Sequence, residues 1–130
     1  MRFLYIFILL TLFINADELH WEKSLSEAFK KAKIEDKTLM VMVQSPHCRW
    51  CVKMKRDTLA DSNISKRLKQ FILVKIERGS EESKNLPYAK YLPTIYFIKK
   101  DKIVLEKVIG YCGVMDFNSW IDDVKKREIE

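Results

Sequence analysis

The amino-acid sequence predicts an α/β domain, in which a central mixed sheet of about four strands is flanked by helices. Two short apolar runs, at residues 39–43 and 71–76, are typical of strands buried on both faces of such a sheet. Segments with apolar residues at helical spacing precede, separate and follow the predicted strands. With 130 residues, 48% of them apolar, the chain is long enough to bury the core of one domain.

Residues 1–16 differ in kind from the rest of the chain. A positive start at Met1-Arg2 is followed by twelve uncharged, mainly apolar residues and then by the small residue Ala16. This pattern predicts a signal peptide that is cleaved near Ala16 and leaves a domain of residues 17–130. The mature protein would then be periplasmic or otherwise extracytoplasmic, in an oxidising compartment. An uncleaved anchor is the alternative, although about 20 apolar residues are normally needed to span a bilayer.

The first predicted helix precedes the first buried strand. Residues Ser24–Glu27 have the form of a capping box, which predicts a helix start at Ser24. The apolar residues that follow share one helical face and end near Lys33: Leu25, Ala28, Phe29 and Ala32. The strand at residues 39–43 then leads directly to a pair of cysteines.

A second helix is predicted from Arg49 to Leu59, with one buried face. Asp61 can cap a further helical piece, and the strand at residues 71–76 follows it. Glu81 and Glu82 can open a short helix before the third strand.

The last part of the chain predicts a hairpin and a final helix. Pro93 stands at the start of a β-branched and aromatic run that ends at Ile98, and the partner strand covers residues 103–109. A proline in this place is either at the beginning of the strand or held cis in a tight turn. After a loop at residues 110–113, Asp116 can cap a helix with one apolar face.

The chemistry-bearing motif is Cys48-Arg49-Trp50-Cys51, where the first strand gives way to a helix. Two thiols at this spacing can close a small disulfide ring and exchange electrons as a unit. The free N–H groups and the positive dipole end of the helix favour the Cys48 thiolate. His47 and Arg49 add positive potential, so the Cys48 pKa is expected within about 3.5–7.5. Cys51 lies one turn deeper and is expected to resolve the mixed disulfide.

A C-x-x-C pair can also serve in a zinc site, in covalent haem attachment or as a structural disulfide. A zinc site needs two more ligands, and only Cys112, His20 and His47 remain, without a second paired spacing. Covalent haem attachment needs histidine directly after the second cysteine, where this chain has Val52. A purely structural disulfide stays open, although such links usually close longer loops. No metal site is therefore expected.

The order of elements, from about Trp21 to Lys126, resembles the thioredoxin superfamily. Within it, the sequence is similar to the extracytoplasmic group that includes the C-terminal domain of the disulfide reductase DsbD. The matching segments are residues 37–43, the Cys48–Cys51 motif, Thr58-Leu59, Ile64, Leu92-Pro93-Thr94 and Gly110.

The resemblance implies a thioredoxin fold and a substrate groove beside Trp50. By this likeness Pro93 is cis and lies against the cysteine pair, and the backbone of Leu92 hydrogen-bonds the substrate chain. Gly110 and Tyr111 would line the same groove. Ordinary packing is the alternative role for Trp50 and Tyr111.

The chain also departs from the family pattern. Met42 stands where the family commonly has a buried acid that helps to deprotonate the resolving thiol, and His47 replaces the usual aromatic residue. His47 could tune or relay a proton, or could be a plain solvated side chain. The Arg49-Trp50 dipeptide does not determine the redox direction.

Cys112 makes the cysteine count odd and is expected to be a free or half-buried thiol, with disulfide exchange or intermolecular pairing as alternatives.

The sequence therefore predicts an extracytoplasmic thiol–disulfide oxidoreductase that reduces protein disulfides without a bound cofactor. The resemblance implies a membrane-bound electron donor as a partner, and the protein itself is expected to be a monomer. The net charge of +6 is scattered rather than clustered, so no nucleic-acid partner is predicted. The alternatives are a non-catalytic binding protein whose cysteine pair is a staple, and a disulfide oxidase or isomerase.

Overall fold

The computed structural model describes residues 18–130, so the predicted signal peptide at residues 1–16 lies outside the described residues. The strands are β1 (Trp21–Glu22), β2 (Thr38–Gln44), β3 (Phe71–Glu77), β4 (Thr94–Ile98) and β5 (Val104–Ile109). The helices are α1 (Leu25–Glu35), α2 (Arg49–Lys53), α3 (Ser62–Leu68) and α4 (Val114–Glu128). A π-helical segment (Met54–Leu59) continues α2, and a 3-10 helix (Glu82–Asn85) lies between β3 and β4. From residue 18 onward, no helix is both long and apolar enough to cross a membrane.

The sheet is mixed, as predicted, but has five strands in the order β1-β3-β2-β4-β5. The neighbours β1, β3 and β2 are parallel, whereas β4 runs antiparallel to both β2 and β5. The additional strand is β1, which has two residues and pairs Trp21 with Leu73 of β3. Two residues are too few to show a sequence period, so the sequence alone gave no indication of this strand.

The two faces of the sheet bury separate apolar clusters. Alternation along β2 places Met40 and Met42 on one face and Leu39, Val41 and Val43 on the other. Helix α1 covers the second face with Leu25, Ala28 and Ala32. The face that holds Met42 is covered by α2, the π-helical segment, α3 and α4, and it includes Cys51. The cysteine pair therefore belongs to one defined face of the sheet.

Helix α1 begins as predicted and ends slightly later than predicted. The Glu27 backbone N–H donates to the Ser24 hydroxyl at 3.1 Å, which is one half of a capping box. The helix continues to Glu35 rather than ending near Lys33, because Asp36 adopts a left-handed conformation (φ 52°) and caps it there.

The predicted helix at residues 49–59 changes geometry after its first five residues. Its π-helical part includes a hydrogen bond from the Ala60 N–H to the Lys55 carbonyl at 3.1 Å. The wider turn allows Met54, Thr58 and Leu59 all to be buried, which regular α-helical spacing would not do as well. Hydrophobic periodicity did not predict this change.

The hairpin of β4 and β5 is confirmed, and β4 begins directly after Pro93.

The final helix was predicted to be capped by Asp116, and this is wrong. Helix α4 begins at Val114 with Gly113 as its N-cap, and the Phe117 N–H donates to the Gly113 carbonyl at 2.9 Å. The partly buried Val114 packs against the core, so the first turn forms earlier, and Asp116 lies within that turn, where its charge suits the helix dipole.

Candidate active site

The cysteine pair lies at the junction of β2 and α2. Cys48 is the N-cap residue of α2, and its sulfur accepts a hydrogen bond from the Cys51 backbone N–H at 3.1 Å. The two cysteines form a disulfide, with their Cα atoms 5.2 Å apart. Cys48 therefore lies at the start of α2, where a backbone N–H of the first helical turn is directed at its sulfur.

The two cysteine residues differ in their exposure to solvent. Cys48 is only partly buried, whereas Cys51 is 1% exposed and belongs to the buried cluster that also contains Met42 and Met54. An external disulfide can therefore reach Cys48 more easily than Cys51. This difference is the one that the predicted division into an attacking and a resolving cysteine requires.

The residues on either side of Cys48 are exposed cations or potential cations. His47 and Arg49 are both exposed. Seven residues after Arg49, Arg56 forms an ion pair with Asp57, with Nε and Oδ1 2.7 Å apart. Their hydrogen bond raises the pKa of Arg56 and lowers the pKa of Asp57.

The segment Leu92-Pro93 has a cis peptide bond, as the resemblance implied. Pro93 is buried, and its carbonyl accepts a hydrogen bond from the Gly110 N–H at 2.7 Å. Gly110 has a φ of 78°, a left-handed conformation that glycine adopts without strain. Leu92 packs against the same buried cluster as Cys48. These residues thus bring the start of β4 and the loop after β5 together on the face that holds the cysteine pair.

The aromatic rings of Trp50 and Tyr111 contact each other beside the cysteine pair. Their ring centroids are 5.8 Å apart, and Trp50 keeps 50% of its surface exposed. The Nζ atom of Lys53 lies 5.3 Å from the Trp50 centroid and 4.8 Å from the Tyr111 centroid. Lys53 was not among the predicted site residues. Lys53 could have been predicted from its position three residues after Trp50, because side chains at that spacing on a helix are neighbours.

The third cysteine is close to these elements but is not in the disulfide. Cys112 is a free, partly buried thiol, as the favoured interpretation expected. Burial, with a smaller contribution from Asp116, raises its pKa to about 11. The backbone carbonyl of Cys112 accepts a hydrogen bond from the buried Thr58 hydroxyl at 2.7 Å. This link joins the loop after β5 to the π-helical segment that continues α2, and no local sequence pattern predicts it.

Met42, at the position of the family's buried acid, is fully buried beneath the cysteine pair's helix. Its register partner in β3 is Lys75, and partners in register point to the same face of a sheet. The Lys75 ammonium lies 4.9 Å from the centroid of the Trp21 ring. Burial lowers the Lys75 pKa, Lys55 lowers it further, and Glu77 opposes this shift. The register partner of Met42 is therefore a cation, with the Glu77 carboxylate two residues further along β3.

No metal centre accompanies these residues within residues 18–130. In that part of the chain, no cluster of three or more His, Cys, Asp or Glu side chains could hold a metal ion.

A paired C-x-x-C motif at a helix start, on a mixed five-stranded sheet with a cis-proline strand beside it, defines a protein of the thioredoxin-fold class. The Thioredoxin-like family matches residues 20–100, which is more than half of the chain. The chain therefore belongs to this family, and the fold implied by the sequence resemblance is confirmed.

Solved structures and a curated relative agree with this assignment. A thioredoxin from Thermus thermophilus is similar with a TM-score of 0.69 and 22% identity, over 82% of this chain and 87% of that one. The oxidised C-terminal domain of DsbD from Neisseria meningitidis is similar with a TM-score of 0.61 and 16% identity, over 75% of this chain and 89% of that domain. The Anterior gradient protein 2 homolog of Homo sapiens is 26% identical over 94 residues, which are 72% of this chain and 54% of that protein. The chain thus spans about half the length of the curated relative that it matches.

Proposed function

We propose that the protein reduces protein disulfides outside the cytoplasm, with Cys48 as the attacking and Cys51 as the resolving cysteine. The observation behind this proposal is the contrast between the two sulfurs: Cys48 is partly exposed and flanked by the exposed His47 and Arg49, whereas Cys51 is buried. Positive surroundings favour a thiolate, which is the nucleophile of disulfide exchange. The proposed extracytoplasmic location rests on the apolar N-terminal residues 1–16.

The proposed reaction transfers two electrons to the substrate. The Cys48 thiolate attacks one sulfur of the substrate disulfide, so that a mixed disulfide forms and the other substrate sulfur leaves as a thiolate. Cys51 then loses its proton and attacks the Cys48 sulfur. The second substrate thiolate leaves, and the Cys48–Cys51 disulfide remains.

The substrate chain is proposed to lie between the Leu92-Pro93 segment and the Trp50–Tyr111 pair. Leu92 would offer backbone hydrogen bonds, while Gly110 and Tyr111 would form the opposite wall. Because an oxidising compartment leaves the pair oxidised, repeated turnover needs a membrane-bound dithiol donor that reduces Cys48–Cys51 again.

The redox potential of the pair tests the direction of this reaction. The Cys112→Ser variant would be equilibrated in glutathione and dithiothreitol buffers, with the oxidised fraction measured by acid quenching and alkylation. A potential near the roughly −270 mV of thioredoxin is expected for a reductase. A value near about −120 mV would instead make the protein an oxidant, and intermediate values would favour isomerisation.

A trapping experiment separates catalysis from binding. In the Cys51→Ser variant the mixed disulfide cannot be resolved, so a disulfide-containing protein is expected to stay covalently attached to Cys48. The Cys48→Ser variant is the matched control and should trap nothing. If the reduced wild-type protein leaves all protein disulfides intact and Cys48 is not alkylated rapidly at mildly acidic pH, the protein is a binding module with a structural disulfide.

A further inference from the structure

The surface formed by the residues that follow Cys48 is positively charged. A depression of about 610 Å³ lies along the exposed side of α2 and the segment that follows it. Its lining residues are Arg49, Trp50, Val52, Lys53 and Arg56. Three of these five residues are cations, one is aromatic and none is acidic. We call this surface the cationic rim.

Two of the three cations on the cationic rim are placed to act on a bound chain. Arg49 is exposed and adjacent in sequence to Cys48. The Lys53 ammonium lies over the rings of Trp50 and Tyr111, at 5.3 and 4.8 Å from their centroids. Because its contacts hold it at this aromatic surface, Lys53 presents a positioned charge rather than a freely moving one.

The third cation on the rim, Arg56, contributes less net charge. Its Nε and Nη2 atoms both donate to the Asp57 carboxylate, at 2.7 and 3.2 Å. This ion pair largely neutralises Arg56. Asp57 also interacts with the Lys53 charge, so the excess positive charge of the rim comes from Arg49 and Lys53 together and not from Arg56.

We propose that the cationic rim selects protein disulfides whose cysteines are flanked by acidic residues. This inference rests on the proposed function, because it names the substrates that would be reduced at the same site. A carboxylate next to the substrate cysteine would approach Arg49 and Lys53 as the substrate sulfur approaches Cys48. A lysine or arginine in that position would be repelled, so the discrimination comes from attraction and repulsion together.

The expected size of this preference follows from the exposure of the charges. An exposed ion pair changes an equilibrium by about 1.4- to 5-fold, so two cations acting together should give about a three- to tenfold preference for acidic over basic flanks. The preference should shrink strongly with added salt, since the screening length falls from about 10 Å at 0.1 M to about 3 Å at 1 M.

The test uses three synthetic peptides with the same disulfide ring, flanked on both sides by Glu, by Gln or by Lys. The pre-reduced protein is mixed with each peptide in a single turnover, and acid-quenched samples are separated by chromatography. An uncharged small disulfide, bis(2-hydroxyethyl) disulfide, measures the basic exchange reaction. Because Arg49 and Lys53 also influence the Cys48 thiolate, the result is expressed as the ratio of the Glu-peptide to the Lys-peptide rate, in which that influence cancels.

The expected ratio is about three or more at low salt and close to one near 1 M salt. The double variant Arg49→Gln, Lys53→Gln should bring the low-salt ratio close to one. The matched control Lys33→Gln, on α1 at the opposite face of the sheet, should leave the ratio unchanged. Equal rates for the three peptides, with normal reduction of the uncharged disulfide, overturn the inference alone, as does a preference that survives in the double variant. Failure to reduce any of the four disulfides overturns the proposed function itself.

Discussion

The hydrogen bond between Thr58 and Cys112 is predicted to stabilise the loop after β5, at residues 110–113. Thr58 is fully buried in the π-helical segment, and its hydroxyl donates to the Cys112 carbonyl at 2.7 Å. Replacing Thr58 with Val keeps the side chain's branched shape but removes the donor. The carbonyl then loses its partner while the surrounding packing stays nearly the same.

The expected loss in the free energy of unfolding follows from the burial of the Thr58 hydroxyl and the Cys112 carbonyl. A hydrogen bond contributes about 0.5–1.5 kcal/mol net, and a carbonyl left without a partner costs about 1–3 kcal/mol when it is buried. Because Cys112 is only partly buried, water can recover part of this loss. We therefore expect Thr58→Val to lower the free energy of unfolding by about 1–2 kcal/mol.

Two measurements check this expectation in the oxidised protein. Urea unfolding gives the change in the free energy of unfolding. Alkylation of Cys112, the one thiol outside the Cys48–Cys51 disulfide, reports local opening of the loop, and about 1.4 kcal/mol would accelerate it tenfold. The Thr58→Ser variant keeps the hydroxyl, so it should lose some packing energy without accelerating alkylation. If Thr58→Val leaves both the alkylation rate and the free energy of unfolding within error of wild type, the bond does not hold the loop.

Three further predictions concern the packing, titration and capping around the site. Phe117 is fully buried on α4, so Phe117→Ala should lower the free energy of unfolding in urea by about 3–5 kcal/mol, and a loss below about 1 kcal/mol would contradict the assigned core. Burial, aided by Asp116, raises the Cys112 pKa from 9.0 to about 11, so the unfolded state loses this proton first; the free energy of unfolding should therefore fall as the pH rises from about 9 to about 11. That decline should be smaller in Cys112→Ala, and an identical pH profile would refute the role of this thiol. Asp61 accepts two backbone N–H bonds at the start of α3, so Asp61→Ala should cost about 1 kcal/mol in thermal or urea unfolding, whereas Asp61→Asn should cost clearly less.

Elements with a strong local pattern could be predicted from the sequence. The buried runs that form β2 and β3, the caps at Ser24 and Asp61, and the hairpin after Pro93 all follow from rules that involve neighbouring residues. The cysteine pair is equally local, since the C-x-x-C spacing alone predicts the disulfide between Cys48 and Cys51.

Features that depend on distant contacts could not be predicted in this way. The two-residue strand β1 exists only because β3 offers it a parallel partner. The π-helical segment depends on which side chains the core accepts, and the start of α4 depends on the packing of Val114. Likewise, the bond from Thr58 to Cys112 joins residues 54 positions apart, a separation at which local sequence rules give no information.

The replacement of the family's buried acid by Met42 bears on how the Cys51 thiol loses its proton. Cys51 is buried in the same apolar cluster as Met42, and apolar surroundings disfavour a thiolate. A carboxylate at position 42 could accept the Cys51 proton, but its negative charge would also oppose the thiolate. This chain instead has Lys75 in register with Met42, and the Lys75 ammonium lies over the Trp21 ring of β1.

The positive charges at the surface lie beside Cys48, with Arg49 next to it in sequence and the Lys53 ammonium over the Trp50 and Tyr111 rings. The same sign that stabilises a thiolate attracts an acidic substrate. In this protein the charge that would activate Cys48 and the charge that would select the substrate are therefore largely the same charge, so a variant that neutralises the cationic rim should weaken both together. Only the ratio of rates for acidic and basic substrates separates the two effects, because thiolate activation acts equally on every disulfide.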